Sequence, residues 1–497
     1  MARRNPRAGY DRQCGFGLTA FSEDELEAIH SATLQIFVNT GIKVESEDAL
    51  EIFDGAGAIV ERHDDYGLVK LPNYLVEDCI RWTPRTGLFY GRRPEDDYFT
   101  DGGRVGFTAG FGEHVQIIDP KTRLIRPTVK ADLADITRIQ DALDVIVVIE
   151  RAACSGDQCP ETLALHNYEA MVHNSSKHIF LGCNSGRNTR KIIEMAAIAA
   201  GGKEIFKERP TMTTFVCPTS PLTLTKDCSD AIIESARGGI GIAVIPMSLS
   251  GATSPATLGG VVVQHNVEVL SAIILAQLAN RGTPCVYCGC SSIMDLRLGS
   301  SPVGVPEMAL LSVSVAKLAQ YYRFPSWVGA CGTDSKIPDA QQAYDFTLTA
   351  LPAALAGANI VYGMGAMESL LTFDYAAMIT GAEQAERIMR IIGGIPITDE
   401  SMVLDLIHEV GPGGNFMSQE HTYRHMRSMS QSKLFDRRTR EDWLEMTGGK
   451  DVTERAYEEA MRIMAEHKPM PLPNGAAEQI SALVADYEAE LGVRRKA

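Results

Sequence analysis

A chain of 497 residues, 45% apolar and 22% charged, can bury a large core and exceeds one minimal domain. Its 63 acidic and 47 basic residues leave a formal charge of −16, with the basic ones scattered, which argues against nucleic acid and anionic membrane as partners. The basic N-terminus runs into no apolar stretch of signal-peptide length, the best spanning candidate is broken by Gln264, His265, Asn266 and Glu268, and the 11 cysteines lie mostly singly in apolar segments, so a cytoplasmic protein with reduced thiols is expected.

Residues 1–125 read as an α+β extension. Ser22 and Glu25 have capping-box spacing ahead of a helix over 23–40, and a short ordered region follows at 71–82. Segments 104–110 and 114–119, separated by Phe111, Gly112 and Glu113, have the pattern of a β-hairpin that would cover one barrel end. Residues 126–395 alternate strand-like runs at 145–149, 179–183, 212–217, 242–246, 284–287, 326–329 and 359–362 with helical segments near 161–176, 187–200, 225–237, 258–280, 307–321, 338–355 and 375–392. This order predicts an α/β fold, a (β/α)8 TIM-type barrel, with its remaining strand at 394–397 or in the N-terminal region. A doubly wound sheet is disfavoured, because the first of these strands is followed by RAACSGDQCPE rather than a glycine-rich phosphate turn. Residues 396–497 read as a charged helical region whose glycine-rich loop at 411–422 is a candidate lid or docking element.

In such a barrel the strand-to-helix junctions carry function. Cys288 and Cys290 share one strand face and would suit zinc if a third ligand joined them, but no paired C-x-x-C or H-E-x-x-H spacing occurs, so structural cysteines are the favoured reading. Phe107 and Phe111, with His114 beside them, lie in a glycine-rich turn, and Tyr362, Phe373 and Tyr375 lie near the end of the last strand. Aromatic faces attract quaternary ammonium groups by about 0.5–2 kcal/mol per contact, although ordinary packing uses the same residues. Asp334, Ser335, Lys336, Asp339 and Gln341 follow the strand at 326–329; capping explains Asp339, but Asp334 and Lys336 less easily. Arg297 is placed either to fork onto a substrate carboxylate or to pair with Asp295. Gln264 and Glu268, four apart on an apolar helix, either face a polar cavity or bond to neighbouring elements.

Several motifs in order carry a resemblance. GATSPATLGG with the following Q-x-N-x-E, then MDLRLG, VPE and TDSKIPDAQ, with HTYRHMR and DRRTREDW near the C-terminus, resemble the trimethylamine methyltransferase family over most of the chain. The resemblance implies a (β/α)8 barrel that transfers a methyl group from a methylated amine to cob(I)alamin on a separate corrinoid protein, with no tightly bound cofactor or metal of its own and a homo-oligomeric assembly. The founding trimethylamine enzymes contain pyrrolysine, whereas every residue here is a standard one. The chain therefore looks like the non-pyrrolysine branch, whose substrates are quaternary amines such as glycine betaine, proline betaine and carnitine. On that reading Phe107, Phe111, Tyr362 and Phe373 would surround the cation. Arg297, Lys336 or His114 would receive a carboxylate, and Asp295 and Gln264 would shape the site with Asp334 and Glu268 as its catalytic carboxylates. Two alternatives keep the same residues in view: a zinc-dependent thiol methyltransferase built on Cys288 and Cys290, and a non-catalytic quaternary-amine-binding protein.

Overall fold

The central strands read as unbroken apolar runs because both of their faces are buried, one inside the barrel and one beneath helices. The computed structural model describes residues 14–110 and 115–493. Its main sheet has eight parallel strands: β1 (Gly106–Ala109), β2 (Ile149–Glu150), β3 (Ile179–Gly182), β4 (Met212–Val216), β5 (Gly241–Val244), β6 (Cys285–Gly289), β7 (Ser326–Gly329) and β8 (Ile360–Met364). Neighbours in sequence are neighbours in the sheet, and β8 pairs back onto β1. The ring closes where the Val147 N–H donates to the Phe107 carbonyl at 2.9 Å and the Thr108 hydroxyl donates to the Val148 carbonyl at 2.8 Å. The fold is the expected (β/α)8 barrel. Between β8 and β1 the register shifts at Gly363, whose φ of +129° and whose absent Cβ, which would lie 1.9 Å from the Ala330 carbonyl oxygen, restrict the bulge to glycine.

Six strands fall where the sequence places them, and the one expected at 145–149 runs as Ile149–Glu150. The eighth is β1, the N-terminal alternative, so 394–397 is not a strand and the barrel begins inside the segment read as an extension. The expected hairpin is corrected accordingly. Gly106–Ala109 pairs with β8, while Gln116–Ile118 pairs with Ile125–Pro127 and Thr372–Phe373. A barrel strand and a hairpin arm share one alternating pattern, and the partner of β1 lies far along the chain. A helix at Lys130–Ala142, which fills the β1–β2 crossover, escaped the sequence reading because three aspartates interrupt its apolar face. One of them, Asp132, caps the helix by accepting from the Val129 N–H at 2.9 Å, and it binds Arg126 as well.

The hairpin that does plug the N-terminal end of the barrel is Gly87–Phe89 with Tyr98–Thr100, and the Tyr98 hydroxyl donates to the Asn359 carbonyl at 2.8 Å. Helix Leu258–Ala279 is long and apolar enough to cross a membrane by length and composition, yet 78% of its most apolar window is buried, because helices Glu23–Asn39, Glu47–Gly55 and Asn73–Trp82 cover its outer side. Helix Val452–Glu466 docks on helices Tyr375–Ile392 and Lys130–Ala142, and Ala476–Leu491 docks on Gly186–Ala199 and Leu163–Asn174. Between 395 and 450 only Leu434 is buried, so this stretch lies on the surface as short helices and turns.

Candidate active site

Strand alternation decides which side chains enter the barrel. On β3, Ile179 and Leu181 face the helices and Phe180 points inward. The next inward position is Gly182, where a Cβ would lie 2.4 Å from the Phe215 ring, so glycine leaves that ring room. Trp327 from β7 stands at the centre, with ring centroids 5.2 Å from Phe180, 5.7 Å from Phe215 and 4.7 Å from Tyr362.

Glu150 ends β2 inside this aromatic interior and is fully buried. Gln140 brackets its backbone, donating to the Glu150 carbonyl at 2.9 Å and accepting from its N–H at 3.1 Å, which fixes the strand end. The Trp327 indole N–H donates to Oε1, whereas Oε2 has no hydrogen-bond partner among the described residues. Burial pushes the carboxyl well above the usual carboxylate range, and the single indole donor offsets little of it. A buried carboxyl in this state stays protonated or takes a cation as its partner. The following residue, Arg151, is buried too, with its guanidinium 5.6 Å from the Phe215 ring centroid and lining a cavity of about 210 Å3 above β2–β4.

The structure separates the residues that the sequence grouped. Tyr362 is in the aromatic interior, and its hydroxyl donates to the Gly289 carbonyl at 3.3 Å. Phe107 is not: Gly106 and Thr108 take the inward positions of β1, so the Phe107 ring packs in the outer core. Phe373 also packs in the outer core, edge-on to Tyr375 at 5.9 Å. Phe111 and His114 lie outside the described residues. Of the two placements expected for Arg297, the structure shows the pairing with Asp295, at 3.2 Å within the same loop, and the side chain is 88% exposed. Asp295 also accepts from the Arg297 N–H at 2.9 Å, which orders that loop. Lys336 is exposed, donates to the Asp334 carbonyl at 2.7 Å, and lines a groove of about 690 Å3 between the barrel and helix Val452–Glu466 rather than the barrel interior.

Two carboxylates expected to do chemistry hold loops together instead. Glu268 accepts from the Ser220 and Ser248 hydroxyls at 2.8 Å each, from Gln264 Nε2 at 2.9 Å and from the Leu222 N–H at 3.0 Å. Gln264 also donates to the Thr253 carbonyl at 2.8 Å. Asp334 accepts from the Val303 N–H at 2.8 Å, the Gly304 N–H at 3.0 Å and the Ser369 hydroxyl at 2.7 Å, tying together the loops after β6, β7 and β8. Burial raises the Cys288 and Cys290 thiols above the ordinary range, and no group of three or more His, Cys, Asp or Glu among the described residues is placed to hold a metal.

Glu150, Arg151, Phe180, Phe215 and Trp327 went unremarked in the sequence. The usable signal is in DVIVVIE, where a lone acid ends an otherwise apolar strand at the functional end of a barrel.

The fold is that of the (β/α)8 barrel enzymes, a class in which ligand chemistry sits at the C-terminal ends of the strands. Its sequence matches the family of trimethylamine methyltransferases over residues 12–492. It is 48% identical over 489 residues to a trimethylamine methyltransferase of Desulfitobacterium hafniense, covering 98% of each chain. A glycine betaine methyltransferase of the same species is 29% identical over 476 residues, covering 95% of this chain and 97% of the other. Among solved structures, the Methanosarcina barkeri monomethylamine methyltransferase aligns with a TM-score of 0.47 and 12% identity over 93% of this chain and 97% of its own. The chain belongs to the trimethylamine methyltransferase family and is a methyltransferase acting on methylated amines. That membership displaces the reading of a non-catalytic binding protein.

Proposed function

We propose that the chain moves a methyl group from a quaternary ammonium donor, with glycine betaine favoured and dimethylglycine as product, to Co(I) carried by a corrinoid protein. Glu150 carries the reading: an unpartnered carboxyl oxygen lies in an interior faced by the Trp327, Tyr362, Phe215 and Phe180 rings. A permanent cation meets both demands, since ring faces and a carboxylate each attract it. In the reaction the cobalt electron pair forms the Co–CH3 bond while the N–CH3 pair returns to nitrogen, so the amine leaves neutral and needs no proton. Charge leaves nitrogen in the transition state, so a strong fixed counter-charge would slow the step. A carboxyl that burial biases toward its neutral form attracts the cation with less of that penalty. The rest of the task is alignment and exclusion of water.

A second reading, trimethylamine as donor, is favoured by the higher identity to the relative named for that substrate, 48% against 29%. Trimethylamine must gain a proton at nitrogen for its methyl group to leave, because the leaving group is otherwise an amide anion; protonated Glu150 would donate it, giving neutral dimethylamine and the Glu150 carboxylate.

The test is anaerobic incubation of the full chain with cob(I)alamin, with and without a cognate corrinoid protein, following methylcobalamin absorbance and the demethylated amine by mass spectrometry. Methylcobalamin with dimethylglycine supports the first reading. Turnover of trimethylamine alone transfers the conclusion to the second, and no methyl transfer from any methylated amine overturns both.

A further inference from the structure

The cavity above β2–β4 has a mixed lining, in which a few polar groups stand among apolar ones. Its lining includes Leu163 and Ala164 from the first turn of helix Leu163–Asn174, Asn184 just before helix Gly186–Ala199, and Thr225 at the cap of helix Lys226–Arg237. Three helix starts therefore converge there, each bringing the positive end of a helix dipole; Ser185 and Thr225 cap two of them, and the first has no side-chain cap from Thr162. An independent observation points the same way. Asn167 is fully buried in the lining, and its Oδ1 accepts from the Ser155 N–H at 3.0 Å, which orients the amide. Its Nδ2 group then has no hydrogen-bond partner among the described residues. The buried Arg151 guanidinium completes the wall, and no Asp or Glu among the described residues lines it.

We infer that this cavity is an oxyanion subsite, in which Asn167 Nδ2, Arg151 and the start of helix Leu163–Asn174 receive the carboxylate of a zwitterionic methyl donor. The inference rests on the quaternary-ammonium reading and adds where the donor's negative end lies. Phe215 borders both regions, its ring centroid 5.7 Å from that of Trp327 and 5.6 Å from the Arg151 guanidinium. A cation and a carboxylate joined by a short carbon chain would reach the two regions that this ring borders. Glycine betaine meets that description, and tetramethylammonium offers only the cation.

Calorimetric titration of the full chain with glycine betaine, tetramethylammonium, acetate and inorganic phosphate, repeated on N167D and R151Q, tests it. Asn167→Asp keeps the acceptor for the Ser155 N–H and replaces the free donor with a negative oxygen. Glycine betaine affinity is expected to fall at least about tenfold in both variants, the loss of a charge-assisted hydrogen bond, with tetramethylammonium affinity unchanged. Thermal melting shows whether R151Q has kept its fold, and N167D, nearly isosteric, carries the result if it has not. Equal loss of both ligands, or loss of neither, overturns the subsite. Phosphate binding that Asn167→Asp abolishes while glycine betaine binding stays intact assigns the donors to a free phosphate and overturns the carboxylate. If the wild type binds neither cation, the methyl-donor reading fails and acetate decides: acetate binding lost in N167D keeps the subsite, and absence of acetate binding removes it.

Discussion

Glu268 and Glu150 are both buried carboxylates near the functional end of the barrel, yet their surroundings are opposite. Glu268, on helix Leu258–Ala279, is met by four donors from the loops after β4 and β5 and from its own helix. Glu150, at the end of β2, has the Trp327 indole on one oxygen and no hydrogen-bond partner on the other among the described residues. A carboxylate saturated by fixed donors is committed to holding those donors in place, and binding a ligand there would break hydrogen bonds already made. A buried carboxyl with an idle oxygen costs stability in the free protein, and such a cost is commonly found at functional sites. On the proposed reading Glu268 belongs to structure and Glu150 to the ligand, even though Glu268 is the more conspicuous of the two in the sequence.

Removing the saturated carboxylate should do the most damage. Glu268→Ala leaves two hydroxyls, an amide and a backbone N–H without their acceptor, and should cost about 3 kcal/mol or more in urea denaturation. Stability equal to wild type would sink the clamp assignment. Glu150→Gln should reverse the pattern, lowering donor affinity about tenfold while leaving the protein as stable at neutral pH as before, or more so. The pH dependence separates the two further. Burial raises the folded-state pKa of Glu150 above the ordinary value of 4.5, so between those two values the folded protein keeps a proton that the unfolded chain has released. Wild-type stability should therefore fall as pH rises through that window, and the fall should be smaller in E150Q. Denaturation curves of both proteins at several pH values, giving equal slopes, would show that Glu150 is not held protonated.

The contrast also explains what was legible in the sequence. Strands such as Met212–Val216 and Ser326–Gly329 announce themselves because burial on both faces makes them apolar throughout, and the intervening helices follow from their spacing. The direction of a side chain in a barrel is set by neighbours far away in sequence. Phe107 looked like an open aromatic until Gly106 and Thr108 proved to occupy the inward positions. Charge draws attention to residues such as Glu268, Asp334 and Arg297, and physics requires those charges to be paired or exposed, which is how they are found. Glu150 is the exception because it is neither, and only the three-dimensional accounting of donors reveals that.

Asp334 offers an intermediate case. Asp334→Asn keeps one acceptor oxygen but turns an amide N–H2 toward donors, so about 1–2 kcal/mol should be lost and the loops after β6 and β8 should loosen, visible as faster amide exchange at Val303 and Gly304. An unchanged exchange rate would mean that the two N–H groups are held by something other than the carboxylate.

The smallest effect should come from Arg297, one of three residues the sequence offered for the carboxylate. Its side chain is 88% exposed and its ion pair with Asp295 closes a surface loop, a geometry in which solvent and salt screen most of the attraction. Arg297→Ala should leave the denaturation midpoint and glycine betaine affinity unchanged at physiological salt, whereas R151Q loses affinity. The paired measurement is decisive because both residues are arginines near the same barrel end, one buried beside Phe215 and the other exposed and paired with Asp295. A loss of affinity in R297A with none in R151Q would move the anionic end of the donor out of the cavity above β2–β4 and onto the exposed loop.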